Sequence, residues 1–280
     1  MKIRSFVLYL LFAASVLILS GCRSQFERVR TSTDPTTILE GANKYYDAEE
    51  YQKAQTLYEL VVAAYRGTAE AEMIAFRYAY TFYNTDQFIL ASYYFKTFAN
   101  TYGASKLREE AEFMAAYSNY RLSPIFRLDQ SYTEQAIEGF EEFANRYPES
   151  TRVQESNSLI DEMRNKLELK DFESAKLYLD LRRYQAAMQS LDNLLKEYPE
   201  TRRAEQIRYM ATKAAYDFAE ASFVELQQER FEEAVERAEY FLRRYPVSDK
   251  RADIKQFLER ATARINELQD VRYQSKGSRS

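Results

Sequence analysis

The chain has no histidine, no tryptophan and only one cysteine among its 280 residues. Without histidine it has neither an imidazole base nor a histidine ligand for a metal ion. A single cysteine cannot close a disulfide within the chain. These absences argue against the histidine-based designs of hydrolases and metalloenzymes, and we expect no catalytic residue, no metal ion and no enzyme activity.

Glycine and proline are also scarce, with six and five residues, and the glycines are too scattered to form a phosphate-binding loop. Alanine, glutamate, leucine and tyrosine are frequent instead, which predicts helix almost everywhere and an all-α fold. The formal net charge is −4. A mildly acidic chain without a strong basic patch is a poor nucleic-acid binder, so no nucleic-acid partner is expected.

The only long apolar run, Phe6 to Leu19, lies near the start of the chain and follows two basic residues. Its 14 residues are fewer than the roughly 20 that a membrane-spanning helix needs. A basic start, a short apolar stretch and small residues at its end are typical of a secretory signal. The pattern therefore predicts a signal peptide at residues 1–21.

The apolar run ends in Leu19, Ser20, Gly21 and Cys22, the last being the only cysteine. This tetrad resembles the bacterial lipobox. The resemblance implies cleavage before Cys22, a diacylglycerol on its sulfur and an acyl chain on its new amine, with no other cofactor. Several acyl chains anchor a protein far more firmly than one chain does. The alternative is an ordinary cleaved signal in which Cys22 is incidental.

Five later segments repeat one helical pattern. Each begins with an aromatic or polar residue and has an alanine three residues later. Most have a large residue four positions after the alanine and another three positions further on. Such spacings place the residues on one helix face. The small alanine allows two helices to approach closely, as in tetratricopeptide repeats of about 34 residues. The pattern predicts an α-solenoid of about five tetratricopeptide-like helix pairs with a C-terminal capping helix. The repeat-packing alanines are Ala54, Ala91, Ala136, Ala187 and Ala234.

The same pattern sets the predicted boundaries. We expect a lipidated linker at 22–34, the repeat domain at 35–274 and a disordered tail at 275–280. Within the domain, N-terminal repeats would cover about 35–148 and C-terminal repeats about 149–274. Three local features are also predicted: an inserted loop at Ser123–Ser131, long leading helices at Arg152–Leu181 and Arg202–Glu229, and a terminal helix at Lys250–Gln274.

Aromatic residues are the most informative side chains, with 24 tyrosines and 18 phenylalanines. Many occupy predicted core positions, but a second stripe on the leading helices is offset from the core. In a tetratricopeptide stack the offset face lines the concave groove. Tyrosine offers a large contact area at low entropic cost, and a hydroxyl group for peptide backbone. The predicted peptide groove consists of Tyr46, Phe76, Tyr80, Tyr83, Phe113, Tyr117 and Tyr120. The alternative is that this stripe simply packs between repeats.

Several irregular repeats resemble the BamD (YfiO/ComL) family of outer-membrane assembly lipoproteins. The residues concerned are Arg77-Tyr78-Ala79-Tyr80 with Leu90-Ala91, Phe140-x-x-Phe143-x-x-x-Tyr147-Pro148, and Lys170-Asp171-Phe172 with Arg183-Tyr184 and Tyr198-Pro199. The first two repeats depart from the family pattern because they lack the Tyr-Pro stop.

The resemblance implies a non-catalytic lipoprotein of the outer-membrane β-barrel assembly (BAM) complex. Such a protein would be lipid-anchored in the outer membrane and face the periplasm. It would bind a BamA-like barrel insertase with periplasmic repeat domains and help to receive and insert unfolded outer-membrane proteins. The mixed charge of the C-terminal helices also suits a protein partner.

Three other functions remain open from the residues alone. The chain could be a periplasmic tetratricopeptide lipoprotein that scaffolds envelope or peptidoglycan enzymes. It could bind glycans, although the absence of tryptophan makes a sugar platform a poor fit. A hydrolase is the fourth possibility, for which no catalytic constellation is visible.

Overall fold

The computed structural model describes residues 24–277, and of residues 271–277 it describes only the backbone. The predicted signal peptide, with Leu19, Ser20, Gly21 and Cys22, lies outside the described residues, as do residues 278–280. Within residues 24–277 the chain forms twelve helices and no strand, which confirms the all-α prediction.

The helices are α1 (Gln25–Arg30), α2 (Pro35–Asp47), α3 (Tyr51–Val61), α4 (Ala71–Asn84), α5 (Phe88–Thr101), α6 (Arg108–Leu122), α7 (Ser131–Arg146), α8 (Val153–Asp180), α9 (Tyr184–Glu197), α10 (Ala204–Glu220), α11 (Val224–Arg244) and α12 (Arg251–Gly277). Among these described helices, none has both the length and the apolar composition that a membrane span requires.

Ten of the helices, from α2 to α11, form five successive pairs, and α12 packs against α11. The second helix of each pair carries the predicted repeat-packing alanine, and all five of these alanines are at most 2% exposed. A larger side chain at these positions would force the paired helices apart. The tetratricopeptide-like helix pairs and the C-terminal capping helix are therefore confirmed.

Helix-to-helix contacts divide the described chain into two compact units. Unit 1 comprises residues 24–124 and 129–161. Its core is mainly aromatic, because large rings fill the space that the small alanines leave between helices. The largest fully buried side chains of unit 1 are Tyr58, Phe95, Phe98, Phe113, Phe140 and Phe143.

Unit 2 comprises residues 125–128 and 162–277, and its core is more aliphatic. One cluster packs Phe172 and Leu191 against Ile207, and a second packs Tyr216 and Phe231 around buried alanines. Segment 125–128 belongs to this unit, and the Lys170 ammonium group donates a hydrogen bond to the Leu128 carbonyl at 2.7 Å. Unit 2 thus has a core of its own.

Helix α2, the first helix of the first pair, begins at Pro35 and has Asp34 as its N-cap. The Asp34 carboxylate accepts hydrogen bonds from the backbone N–H groups of Thr36 and Thr37, at 3.1 and 3.0 Å. These bonds satisfy donors that have no partner inside the helix, and Pro35 occupies the first turn, where no N–H is needed. The Thr37 hydroxyl also donates to this carboxylate at 2.6 Å, and this bond, followed by the two backbone bonds, lowers the pKa of Asp34.

The predicted linker is in part folded, so this expectation was wrong for residues 25–30. Ser24 caps α1 by accepting from the Glu27 N–H at 3.2 Å. The Phe26 ring meets the Tyr45 ring edge-on at 5.6 Å. Val29 lies so close to Gly41 that a Cβ atom there would be 2.4 Å from its Cγ1 atom. Two apolar side chains in a polar segment thus hold α1 against the first helix pair.

The predicted leading helix Arg202–Glu229 was also wrong, because α10 ends at Glu220 and α11 begins at Val224. The buried Gln227 side-chain amide donates to the Ser222 backbone carbonyl at 3.2 Å, and Arg264 donates to the side-chain amide oxygen of Gln227 at 3.0 Å. These side chains satisfy the helix end, so the break needs neither glycine nor proline.

Other predicted bounds agree closely with the structure. Helix α8 matches the predicted Arg152–Leu181 to within one residue at each end, and the loop before α7 lies at the predicted place. Helix α12 begins at Arg251 and extends to Gly277, whereas the sequence placed its end at Gln274 and a disordered tail at residues 275–280.

Candidate peptide-binding site

The predicted groove residues of α4 and α6 form a continuous row of rings in unit 1. Ring centroids are 5.1 Å apart for Phe76 and Tyr80, 6.5 Å for Tyr80 and Tyr83, 6.2 Å for Tyr83 and Tyr117, and 5.5 Å for Tyr117 and Tyr120. All five side chains are partly buried. We call this row the aromatic ribbon: Phe76, Tyr80, Tyr83, Tyr117 and Tyr120.

The aromatic ribbon packs against buried rings in the core of unit 1. Tyr80 packs edge-on against Phe95 at 4.9 Å, and Phe76 contacts Phe98 at 5.2 Å. Each of these rings therefore has one side on a buried ring, which fixes its orientation. A row of rings fixed in this way can stack on a ligand without first being ordered.

Phe113 is not part of a groove, so its prediction was wrong. It is only 1% exposed, and its ring lies 5.5 Å from both Phe140 and Phe143. Phe113 instead packs on the core side of the ribbon, because its ring stacks on that of Tyr117 at a centroid distance of 5.8 Å. The spacing of three and four placed Phe113 on the right helix face but could not show how deeply that turn of α6 is covered.

Tyr46 lies on α2 and is separate from the ribbon. Among the described residues its ring contacts Tyr51 at 5.6 Å and Tyr58 at 6.2 Å, and the Arg77 guanidinium lies 4.9 Å from its centroid. Burial, followed by the neighbouring Tyr51, raises the pKa of Tyr46. The structure thus brings five of the seven predicted residues together, places Phe113 beneath them and leaves Tyr46 at the first helix pair.

Sequence spacing missed an ion pair at one edge of the ribbon. The Tyr80 hydroxyl donates to the Glu110 carboxylate at 2.5 Å, and Arg152 donates to the same carboxylate at 3.0 Å. The Arg152 guanidinium also lies 4.1 Å from the Phe113 centroid. Glu110 and Arg152 are 42 residues apart, so no local pattern could have paired them.

The hydroxyl groups of the ribbon differ in what they can offer a ligand. Burial, followed by the hydrogen bond to Glu110, raises the pKa of Tyr80, whose proton is committed to that carboxylate. Arg121 donates weakly to the Tyr83 hydroxyl at 3.4 Å. The Tyr117 hydroxyl has no hydrogen-bond partner in residues 24–277, so it can donate to a carbonyl group of a bound peptide.

Several charged residues of the C-terminal repeats have partners within unit 2. Arg203 donates to Glu168 at 2.8 Å, and Arg230 lies 3.9 Å from the Phe218 centroid. Residues 24–270 contain no group of three or more acidic or cysteine side chains placed to hold a metal ion. Ion pairs of this kind are typical of a solvated helix surface.

Successive helix pairs with a buried small residue at each crossing define this chain as a tetratricopeptide-type repeat protein. Residues 31–217 match a family model described as YfiO, outer membrane lipoprotein. The match covers more than half of the chain, so the chain belongs to the YfiO family of outer membrane lipoproteins, as its resemblance to BamD predicted.

Two solved structures of repeat proteins are similar to this chain. The TPR2AB domain–pHSP90 complex of yeast Sti1 is 12% identical with a TM-score of 0.38, over 81% of this chain and 98% of that one. A putative kinesin light chain from Podospora anserina with nearly identical TPR-like repeats is 15% identical with a TM-score of 0.32, over 78% and 100%. A search of curated proteins gave no significant match.

Proposed function

We propose that this protein is a lipid-anchored, non-catalytic component of the outer-membrane β-barrel assembly machinery, facing the periplasm. In this role it binds a BamA-like barrel insertase and helps to receive unfolded outer-membrane proteins. Membership of the YfiO family supports the outer-membrane assembly setting. The observation that carries the substrate-binding part of the proposal is the continuous aromatic ribbon from Phe76 to Tyr120.

The ribbon suits an extended peptide that ends in an aromatic residue. Its partly buried rings offer edge and face contacts to an incoming ring, worth about 0.5–1.5 kcal/mol per pair beyond area burial. The Tyr117 hydroxyl is available for one backbone carbonyl. Rings at spacings of 5.1–6.5 Å let neighbouring ligand side chains meet neighbouring rings. An unfolded barrel strand supplies both features.

A peptide-binding assay tests the ribbon. Tyr117→Ala should weaken binding of a labelled peptide ending in phenylalanine by about 5- to 20-fold, because it removes one ring of the ribbon and the hydroxyl group that is free to donate. Tyr93→Ala is the matched control, since Tyr93 lies in the same unit but is 62% exposed and outside the ribbon. Equal affinities of the two variants, or unchanged affinity when the terminal phenylalanine is replaced by alanine, would contradict the assignment.

The anchor is proposed to be an N-acyl diacylglycerol on Cys22. Mass spectrometry of the mature N-terminal peptide should find a lipid-modified cysteine as its first residue. Cys22→Ser should yield a protein that is not lipid-modified and that leaves the membrane fraction. An unmodified Cys22, or cleavage at another position, would contradict the anchor while leaving the repeat fold untouched.

A crosslinking pull-down from native membranes tests the partner. Recovery of an outer-membrane barrel protein with periplasmic repeat domains, in near-stoichiometric amount, is the expected result. Recovery of peptidoglycan enzymes without such a barrel protein would contradict the assembly role. That outcome would favour the second function, a periplasmic scaffold for envelope enzymes.

A further inference from the structure

A crevice lies in unit 2 between α9, α10 and α11. Its volume is about 260 Å³. Small-molecule pockets usually measure roughly 300–1,000 Å³, so this crevice is better matched to one inserted side chain than to a free metabolite. The lining residues that matter are Asp192, Arg208, Glu233, Glu236, Arg237 and Tyr240.

Two arginines line this crevice, and only Arg237 is paired. It donates to both carboxylate oxygens of Asp192, at 3.0 and 2.7 Å, and to Glu233 at 3.0 Å. Its donors are thereby committed, and this triad holds α9 and α11 together across the floor of the crevice. Arg237 is therefore unavailable to a ligand.

Arg208 differs because its side chain makes no hydrogen bond to any described residue. Its Nε atom is buried without a partner. Its guanidinium lies 4.9 Å from the Tyr240 centroid. An aromatic face holds the guanidinium plane in place and leaves its edge free. The two Nη atoms of Arg208 likewise have no hydrogen-bond partner among the described residues but are not buried, so an acceptor from outside can reach them.

Unit 1 contains an equivalent crevice that needs no ligand. It lies between α5, α6 and α7 and has a volume of about 190 Å³. Glu112 occupies the position of Arg208, since each follows a fully buried residue at the same turn of its helix. The Glu112 carboxylate accepts from Arg108 at 2.8 Å and from Arg146. The same architecture is thus internally paired in unit 1 and left with an open donor in unit 2.

We propose that the crevice between α9, α10 and α11 binds an acidic side chain of a protein partner, whose carboxylate pairs with Arg208. A carboxylate that bridges the two Nη atoms makes two parallel charge-assisted hydrogen bonds, which a lysine ammonium group cannot offer in the same fixed geometry. The single free guanidinium edge and the small volume favour one carboxylate over a phosphate cluster. This site goes beyond the proposed function, because it does not depend on the ribbon or on which envelope protein supplies the carboxylate.

Glu236 modulates the site. It lines the same crevice, is exposed and has no partner among the described residues. Its negative charge opposes an incoming carboxylate and selects against free anions. Replacement by glutamine should therefore strengthen carboxylate binding by about 2- to 5-fold, a change opposite in sign to that expected from general damage to the site.

The test follows the Arg208 Nε–Hε resonance of the full chain, labelled with ¹⁵N-arginine, during titration with three small probes. N-acetylglutamate α-amide carries a side-chain carboxylate, N-acetylglutamine amide is its neutral match, and N-acetylalanine carries a terminal carboxylate. A saturable shift with the first probe alone is expected. No saturable shift, or an equal shift with the glutamine probe, would overturn the proposal. Tighter binding of N-acetylalanine would overturn the assignment to a side chain.

Variants make the result specific. Arg208→Lys keeps the charge but loses the planar fork, and should weaken binding of the glutamate probe at least 5-fold. Arg202→Lys is the matched control on an exposed arginine of the same unit, and should leave binding unchanged. Equal losses in both variants would show a general charge effect and overturn the site. Unchanged thermal melting of Arg208→Lys confirms that its loss is not unfolding.

Discussion

Single residues set the turns inside three of the helix pairs. Glu49, Asp86 and Arg182 have φ angles of 59°, 58° and 56°, and each lies two residues before the second helix of its pair. The left-handed region costs a side-chain-bearing residue about 1–2 kcal/mol. The backbone is therefore strained at these turns, and the packing of the helices on either side maintains the conformation.

Replacing one of these residues by glycine should relieve that strain. Glu49→Gly should raise the free energy of unfolding by about 0.5–1 kcal/mol, because glycine reaches φ 59° without a Cβ clash. Chemical denaturation measures the change. Ala48→Gly is the control, since Ala48 has φ −89° and gains nothing from glycine. A loss of stability in Glu49→Gly as large as in the control would contradict the strain.

Burial of one tyrosine makes stability depend on alkaline pH. Tyr58 is fully buried and donates to the Asn43 amide oxygen at 2.8 Å. Burial raises the pKa of Tyr58 from 10.0 to about 12. The folded state thus holds the proton more tightly than the unfolded state. The resulting stability is complete below pH 10 and is lost as the pH rises towards 12.

The free energy of unfolding should therefore fall between pH 10 and 12, with a Tyr58 share of about 2–3 kcal/mol. Tyr58→Phe removes the titrating group and should show a shallower fall, although it starts lower because the hydrogen bond to Asn43 is lost. Denaturation at a series of pH values measures both slopes. Parallel slopes would contradict the assignment.

At the scale of elements, α1 depends on a missing side chain in α2. Gly41 leaves the space that Val29 fills, and a Cβ atom would be 2.4 Å from Val29 Cγ1. Gly41→Ala should displace α1 and speed amide hydrogen exchange over residues 25–31. Helix α2 itself should be stabilised, because alanine has a higher helix propensity than glycine. Gly103→Ala, whose nearest contact would be 3.8 Å, is the control. Unchanged protection of α1 in Gly41→Ala would show that Val29 moves aside instead.

Sequence periodicity predicted elements best where one helix face repeats. The five alanines and the stripe of Tyr80, Tyr83 and Tyr117 follow from spacings of three and four within a helix. Sequence periodicity could not predict contacts between residues that are distant in the chain. The Glu110–Arg152 pair and the Gln227–Arg264 cap link positions far apart in the chain, and α1 is held by only two apolar side chains. Neither kind of contact leaves a local pattern.

At the scale of the whole molecule, each unit contains its own buried core. In helical-repeat proteins stability is close to a sum over repeats and their neighbours, so local damage need not unfold the whole chain. Regions with separate cores can also open separately. The described chain should therefore respond to a core lesion unit by unit.

The variant Ala187→Arg tests whether the two units open separately. Ala187 is 0% exposed in unit 2, so a long charged side chain there should cost several kcal/mol and open the neighbouring helices. Hydrogen exchange should rise in α9, α10 and α11, while the amides around Phe95 and Phe140 in unit 1 stay protected. Gln189→Arg is the control, because Gln189 is exposed on the same helix. Simultaneous loss of protection in both units would contradict separate opening and would mean that the chain unfolds as one cooperative body. Unchanged hydrogen exchange in unit 2 would contradict the close helix packing at Ala187.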